Sequence, residues 1–185
     1  MAEIRTIAVI GAGAPGREIA QSSALGGFRT ILEDILPASL RRAESEIRDT
    51  LNSAVENGAI ADSAAREALA RIGYATSIEE AARTADLVIE AVPDELESKL
   101  EIFTLLDKVA KPATILATTT ASLNVTELSS VTYRVQKILG MRFLSDRLEI
   151  IRSSETDDET VCACRKVGQR MGKNVVEIRE SQAQR

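Results

Sequence analysis

Three glycines near the start of the chain have the types and spacing of a phosphate-binding turn. Gly11, Gly13 and Gly16 form a G-x-G-x-x-G motif directly after an apolar run at residues 7–10. In such a motif the first glycine allows a sharp turn, the second lets backbone approach a pyrophosphate, and the third lets a helix pack closely on a strand. The free amides at the start of the helix then face the phosphates. The whole turn is predicted to bind a dinucleotide, which adds Ala12, Ala14 and Pro15 to the glycines.

An acidic residue follows at the distance that this interpretation requires. Asp34 ends a second apolar run, about 20 residues after the glycines. Its carboxylate can accept hydrogen bonds from both ribose hydroxyls and would repel a 2′-phosphate, so the pattern favours NAD over NADP. Two alternatives remain open: the glycines form a turn that binds no ligand, or Asp34 only begins a helix.

Composition narrows the chemistry that this chain can perform. The sequence of 185 residues contains no histidine, which excludes an imidazole base. The net charge of -5 gives no indication of a nucleic-acid partner. No apolar run approaches the ~18 residues of a membrane span, and no secretion signal is evident, so the cytoplasm is the expected location. Cys162 and Cys164 should point to different faces of one helix, so no metal site is predicted.

Strands and helices are predicted to alternate along the chain. The predicted strands cover residues 4–10, 28–33, 71–75, 86–92, 113–118, 137–143, 148–151 and 174–178. The longer predicted helices cover residues 15–25, 37–57, 62–70, 95–109 and 157–171. Such alternation is typical of an α/β protein of the Rossmann type, with a doubly wound, mostly parallel sheet and helices on both faces. One domain at residues 1–178 and a polar tail at residues 179–185 are expected.

Several motifs together resemble the N-terminal, NAD-binding domain of 3-hydroxyacyl-CoA dehydrogenases. The resemblance runs from residue 4 to about residue 178, in the family's order. It rests on residues 9–16 (VIGAGAPG), 86–93 (DLVIEAVP), 115–123 (ILATTTASL), and 149–152 (EIIR) followed by 158–161 (DETV). The family oxidises 3-hydroxyacyl-CoA to 3-ketoacyl-CoA with NAD, a reaction of fatty acid metabolism. Its second, helical domain, which builds the acyl pocket and the dimer interface, has no counterpart in these residues.

The resemblance implies further contacts to NAD. Ala91 and Val92 match the loop that lies over the adenosine half of the cofactor. Asp94 and Lys99 match positions near the nicotinamide half, although Lys99 could instead be an ordinary lysine on a helix surface. Two positions of the family's substrate-binding loop are also expected to border the cofactor: Thr119 and Ala121. Pro15 stands where the family usually has Met, so the contact to the nicotinamide is expected to differ.

The resemblance also implies that the family's chemistry is altered. Arg142 occupies the position of the family's histidine base, and an arginine cannot accept a proton near neutral pH. Ala121 and Thr119 replace the serine and the asparagine that hold the substrate oxygen. Glu149 matches the acid that orients the histidine, and Ser122 matches a second, non-catalytic serine. The catalytic candidates that remain are Glu149, Arg142 and Ser122.

Three functions are compatible with these residues. The first is an NAD-binding domain that has lost the family's chemistry. The second is an oxidoreductase for a small acidic substrate, with Arg142 polarising a carbonyl and Glu149 acting as base, unless the two only form a salt bridge between neighbouring strands. The third is an interaction module with no cofactor. An exposed apolar edge near Phe143, Leu144 and Leu148 is expected, and self-association or a partner chain would cover it.

Overall fold

Eight strands form one sheet in a computed structural model that describes residues 3–120 and 124–180. In chain order the strands are β1 (Thr6–Ile10), β2 (Arg29–Glu33), β3 (Ile72–Ala75), β4 (Leu87–Glu90), β5 (Ile115–Thr118), β6 (Ile138–Phe143), β7 (Arg147–Arg152) and β8 (Asn174–Arg179). The α-helices are α1 (Ala14–Leu25), α2 (Pro37–Glu56), α3 (Asp62–Arg71), α4 (Ile78–Ala82), α5 (Leu96–Val109), α6 (Val125–Ser129) and α7 (Asp158–Arg170). The strand order across the sheet is β3-β2-β1-β4-β5-β6-β7-β8.

The predicted mostly parallel sheet is confirmed. All neighbouring strands from β3 across to β6 run parallel. Two apolar clusters lie on opposite faces of this sheet, one packed with α1, α2, α3 and α7 and the other with α4, α5 and α6. The central strands are almost entirely apolar and buried because helices cover both of their faces. Strand order reverses between β1 and β4, and in folds of this kind ligands bind beyond the carboxyl ends of the strands at that point.

The far side of the sheet corrects one expectation about its edge. β7 runs antiparallel to β6, and β8 pairs with β7 and forms the outer edge. Leu148 is therefore not exposed: its side chain is fully buried and lies against Gly168 of α7. Phe143 is partly buried against the same core, and Leu144 alone of the three expected residues is exposed, at 37%. The apolar edge is thus much smaller than the sequence suggested, because β8 and α7 cover it.

The last strand of the sheet is one residue longer than the sequence predicts. β8 includes Arg179, so this residue does not belong to a tail, while residues 181–185 lie outside the described part. Cys162 is exposed and Cys164 is buried, which confirms that they occupy different faces of α7. Within the described residues no cluster of metal-binding side chains occurs. The helices of the described part are also too short or too polar to cross a bilayer.

The stability of the fold should depend on one glycine of the turn and not on another. An added Cβ at Gly16 would lie 1.8 Å from the carbonyl oxygen of Gly11, whereas an added Cβ at Gly13 would meet only Pro15 Cδ, at 3.8 Å. We expect Gly16→Ala to lower the free energy of unfolding by about 3 kcal/mol, because backbone atoms must move apart. Gly13→Ala should cost less than about 1 kcal/mol. Urea unfolding of both variants checks this, and equal stabilities would contradict the packing described.

Candidate cofactor-binding site

The turn after β1 connects three strand ends through its backbone. Gly11 has a φ of +103°, which L side chains rarely adopt, and an added Cβ there would lie 3.0 Å from the carbonyl oxygen of Ala91. The Gly11 amide donates to the carbonyl of Glu33 at 2.8 Å. The Ala91 amide donates to the carbonyl of Ile10 at 2.8 Å. The ends of β1, β2 and β4 are therefore fixed relative to one another around this turn.

The start of α1 offers free backbone amides to a ligand. Gly13 is the N-cap and has no side chain with which to cap the helix. No acidic residue lies in the first turn, and Pro15 has no amide to donate. The amides of Gly13 and Ala14 have no carbonyl within the helix to bind, as at every helix start. The space beside Gly13 is open, since an added Cβ would meet nothing closer than 3.8 Å. The free amides, the positive end of the helix dipole and the open space beside Gly13 together fit a pyrophosphate.

Asp34 is held rigidly at the end of β2. One carboxylate oxygen accepts from the Ala12 amide at 3.1 Å, and the other accepts from the Leu36 amide at 2.9 Å. The N-cap of α2 is Leu36, so Asp34 does not cap that helix. The side chain is partly exposed. Each carboxylate oxygen keeps a free lone pair for a ribose hydroxyl, which fits the predicted contact.

A cleft opens beside Asp34 and Gly11. Its volume is about 380 Å³, within the usual range of small-molecule sites. The lining is mostly apolar and comes from β1, β2, the segment around α4, the loop after β4, and α5: Ile10, Gly11, Glu33, Asp34, Ile35, Thr76, Ser77, Ile78, Glu79, Val92, Ile102 and Leu105. A flat base joined to a ribose on Asp34 can lie here. The cleft therefore fits the adenosine half of a dinucleotide.

Glu33 is a residue of this cleft that the sequence reasoning missed. It is only 4% exposed, and burial, followed by the nearby charges of Asp34 and Glu79, raises its pKa to about 7. The sequence held a signal for this burial. Glu33 is the only charged residue among residues 30–33, at a position where a buried strand usually carries an aliphatic side chain.

Lys99 is not a surface lysine, and that alternative is wrong. Its side chain is fully buried, and its ammonium donates to both carboxylate oxygens of Glu90 at 2.7 Å and to the carbonyl of Val92 at 3.2 Å. Glu90 also accepts from the Thr118 hydroxyl and from the Val92 amide, both at 2.7 Å. An Asp94 oxygen lies 3.4 Å from the ammonium. This network fixes the loop of residues 91–94. A direct contact of Lys99 or Asp94 with NAD stays a prediction.

The loop after β5 is only partly described. The Thr119 amide donates to the carbonyl of Glu90 at 3.0 Å, which places Thr119 beside the loop that follows β4. Ala121 and Ser122, predicted as cofactor and catalytic positions, lie outside the described residues. The contacts predicted for these three residues stay predictions.

Arg142 and Glu149 stand directly opposite each other on the antiparallel strands β6 and β7. Arg142 Nε donates to a Glu149 oxygen at 2.6 Å, and a second nitrogen of the same guanidinium pairs with that oxygen. Arg147 binds the other Glu149 oxygen at 2.9 Å. Glu149 is nearly buried between two guanidinium groups, while Arg142 is 25% exposed. This is the salt bridge between neighbouring strands that the sequence left open, and Arg147 adds a second guanidinium to it.

Comparison with known proteins identifies the family. A profile of the 3-hydroxyacyl-CoA dehydrogenase NAD-binding domain matches residues 6–181. A probable 3-hydroxybutyryl-CoA dehydrogenase of Bacillus subtilis is 34% identical over 183 residues, which are 96% of this chain and 63% of that protein. A 3-hydroxybutyryl-CoA dehydrogenase of Bradyrhizobium diazoefficiens is 34% identical over 179 residues, which are 94% of this chain and 61% of that protein.

Solved structures agree. The crystal structure of 3-hydroxybutyryl-CoA dehydrogenase from Escherichia coli superposes with a TM-score of 0.93 at 31% identity, covering 97% of this chain and 39% of that one. The (S)-3-hydroxybutyryl-CoA dehydrogenase of Ralstonia eutropha gives a TM-score of 0.92 at 28% identity, covering 96% of this chain and 64% of that one. This chain belongs to the 3-hydroxyacyl-CoA dehydrogenase family, as its NAD-binding domain, and its cofactor is NAD. It spans about three fifths of the length of the curated relatives it matches.

The buried ion pair behind the loop of residues 91–94 provides a stability test. Lys99→Met should lower the free energy of unfolding by about 3 kcal/mol, because it leaves the Glu90 carboxylate buried beside an apolar side chain. The double variant Lys99→Met, Glu90→Gln should recover much of that loss, since no uncompensated charge remains. Chemical denaturation of the single and double variants measures the coupling. A double variant whose loss equals the sum of the single losses would contradict this assignment.

Proposed function

We propose that this domain binds NAD(H) across the glycine turn and Asp34, and that the chain by itself lacks the family's dehydrogenase chemistry. The observation that carries the proposal is a contrast between two parts of the molecule. The cofactor end keeps an uncapped helix start and a carboxylate fixed for ribose. At the position that resembles the family's base, Arg142 is engaged in an ion pair with Glu149.

The described residues suggest how each part of the cofactor is held. The amides of Gly13 and Ala14 bind the pyrophosphate, and Asp34 accepts from the adenosine ribose. Adenine enters the cleft between Ile35 and Val92. The nicotinamide half then lies toward the loops after β4 and β5. When bound, NAD supplies the hydride acceptor, and this chain's residues position it.

The same residues suggest why oxidation of a hydroxyl fails in this chain. A dehydrogenase needs a group that takes the hydroxyl proton as the hydride leaves. Arg142 is cationic and has no lone pair to offer. Both oxygens of Glu149 are occupied by guanidinium groups, one by Arg142 and the other by Arg147. Loss of the general base alone lowers a rate by roughly 10²–10⁴-fold. The lack of a free base at these positions supports an NAD-binding role over an oxidoreductase that uses Arg142 and Glu149.

Cofactor binding is tested by calorimetry with NADH and, separately, NADPH. We expect NADH to bind at least about tenfold more tightly, because Asp34 repels a 2′-phosphate. Asp34→Ala should reduce the difference in affinity between NADH and NADPH. Gly13→Ala, which should keep the fold, is expected to weaken NADH binding about tenfold, because its methyl group occupies space beside the pyrophosphate. Equal affinity for both cofactors, or unchanged binding by Gly13→Ala, would show that the site is placed wrongly.

Turnover is tested with NAD and 3-hydroxybutyryl-CoA, the compound in the names of the relatives. We expect no NADH formation above background at a concentration where cofactor binding is saturated, because Arg142 has no lone pair for the hydroxyl proton and both Glu149 oxygens are occupied by arginines. Arg142→Ala should leave NADH affinity within about twofold of the parent chain, since Arg142 lies on β6, away from the glycine turn. Turnover that disappears in Arg142→Ala would instead establish the Arg–Glu pair as catalytic and overturn the proposal.

A further inference from the structure

Glu33 places an unpaired carboxyl group inside the adenosine cleft. The residue ends β2 and is only 4% exposed, yet its side chain lines the cleft. None of the side-chain hydrogen bonds of the described residues involves the Glu33 carboxyl, whereas its backbone carbonyl accepts from the Gly11 amide. The Glu33 carboxyl oxygens are not among the fully buried side-chain atoms that lack a partner, so they remain accessible from the cleft. Such a group, facing a ligand cleft, is a candidate for recognising that ligand.

The groups around Glu33 favour its neutral form. Its own strand contributes Asp34, and α4 contributes Glu79, so both charged neighbours are acidic. β1 and α5 contribute only apolar side chains to the lining: Ile10, Ile102 and Leu105. β3 lies beside Glu33 with Ala75 in register, and no lysine or arginine belongs to the lining. Burial and the two carboxylates raise the pKa of Glu33 to about 7.

A neutral carboxyl group has the hydrogen-bonding pattern that adenine requires. It carries one O–H donor and one carbonyl acceptor side by side. Adenine presents an exocyclic amino group, which donates, next to a ring nitrogen, which accepts, and glutamine pairs with such an edge by its amide. An ionised carboxylate carries acceptors only and would face the lone pair of the ring nitrogen. The neutral form therefore matches adenine and the charged form does not.

We propose that Glu33 recognises the adenine of NAD(H) through its neutral carboxyl group, donating to a ring nitrogen and accepting from the amino group. The inference rests on the proposed function, because it requires the cofactor's adenosine half to enter this cleft. It makes Glu33 a specificity-determining residue of the cofactor site. It also couples binding to a proton: Glu33 must be protonated in the complex, so molecules that are ionised before binding take up a proton from solution.

The expected pH dependence has a definite sign. Below the pKa of Glu33 the carboxyl is already neutral, and the affinity for NADH is constant. Above it, an increasing fraction must be protonated first, so the affinity falls as pH rises. With a pKa of about 7, NADH should bind about tenfold more weakly at pH 8 than at pH 6. At pH 7 about half a proton should be taken up for each NADH bound.

The experiment is calorimetric titration of the chain with NADH at pH 6, 7 and 8, in pairs of buffers that differ in ionisation enthalpy. The number of protons taken up follows from the difference in binding enthalpy measured in the two buffers of each pair. Glu33→Gln should bind NADH as the parent chain does at pH 6, with less than twofold change up to pH 8 and no proton uptake, because the amide keeps a donor and an acceptor. Glu33→Val should also lose the pH dependence, and should bind NADH about tenfold more weakly than Glu33→Gln.

Glu79→Gln is the matched control, since it removes a neighbouring charge but leaves Glu33 in place. It should keep proton uptake and shift the pH dependence toward lower pH. The charge of Glu79 helps to raise the pKa of Glu33, so its removal lowers that pKa, and the affinity for NADH should begin to fall at lower pH than in the parent chain. Proton uptake that persists in Glu33→Gln, or binding by the parent chain that is independent of pH, would overturn this inference alone. Absence of NADH binding at every pH would overturn the proposed function with it.

Discussion

The close approach of α1 to the end of β1 is the constraint on which the cofactor site depends. No side-chain atom fits between Gly16 and the Gly11 carbonyl, so the helix start lies directly against the strand end. This packing aims the amides of Gly13 and Ala14 at one point beyond the sheet. The Gly11 turn also bonds to the end of β2, which brings Asp34 to the same point. The pyrophosphate and ribose contacts that we propose both depend on this one backbone contact.

The opposite wall of the site is fixed by charge instead of by close packing. Glu90 and Lys99 are both fully buried, and each satisfies the other while also bonding the backbone of Val92. A pair of this kind adds little net stability over an apolar pair, but removal of either partner is costly. It therefore specifies one conformation for the loop after β4. The site has two walls that are rigid for different physical reasons.

The Arg142–Glu149 pair shows how strand register can decide chemistry. The two residues are exact partners across β6 and β7, and Arg147 completes the neutralisation of Glu149. A carboxylate that could orient a neutral base instead balances two guanidinium groups. The cofactor end of the domain does not depend on this pair, since the strands β4 and β5 lie between β6 and the glycine turn. The NAD binding that we propose therefore does not require the Arg142–Glu149 pair.

The sequence by itself determined the features that are local along the chain. The glycine spacing, the acid after β2 and the alternation of strands and helices predicted the sheet and the cofactor turn, because turn geometry and hydrophobic periodicity act over a few residues. Only the tertiary structure decided the burial of Lys99, the covering of Leu148 by β8 and α7, and the placement of Glu33 in a cleft. Each depends on elements far apart in sequence. Whether a charged side chain is solvated or buried depends on what packs over it, and the residues beside it in the chain do not by themselves determine that.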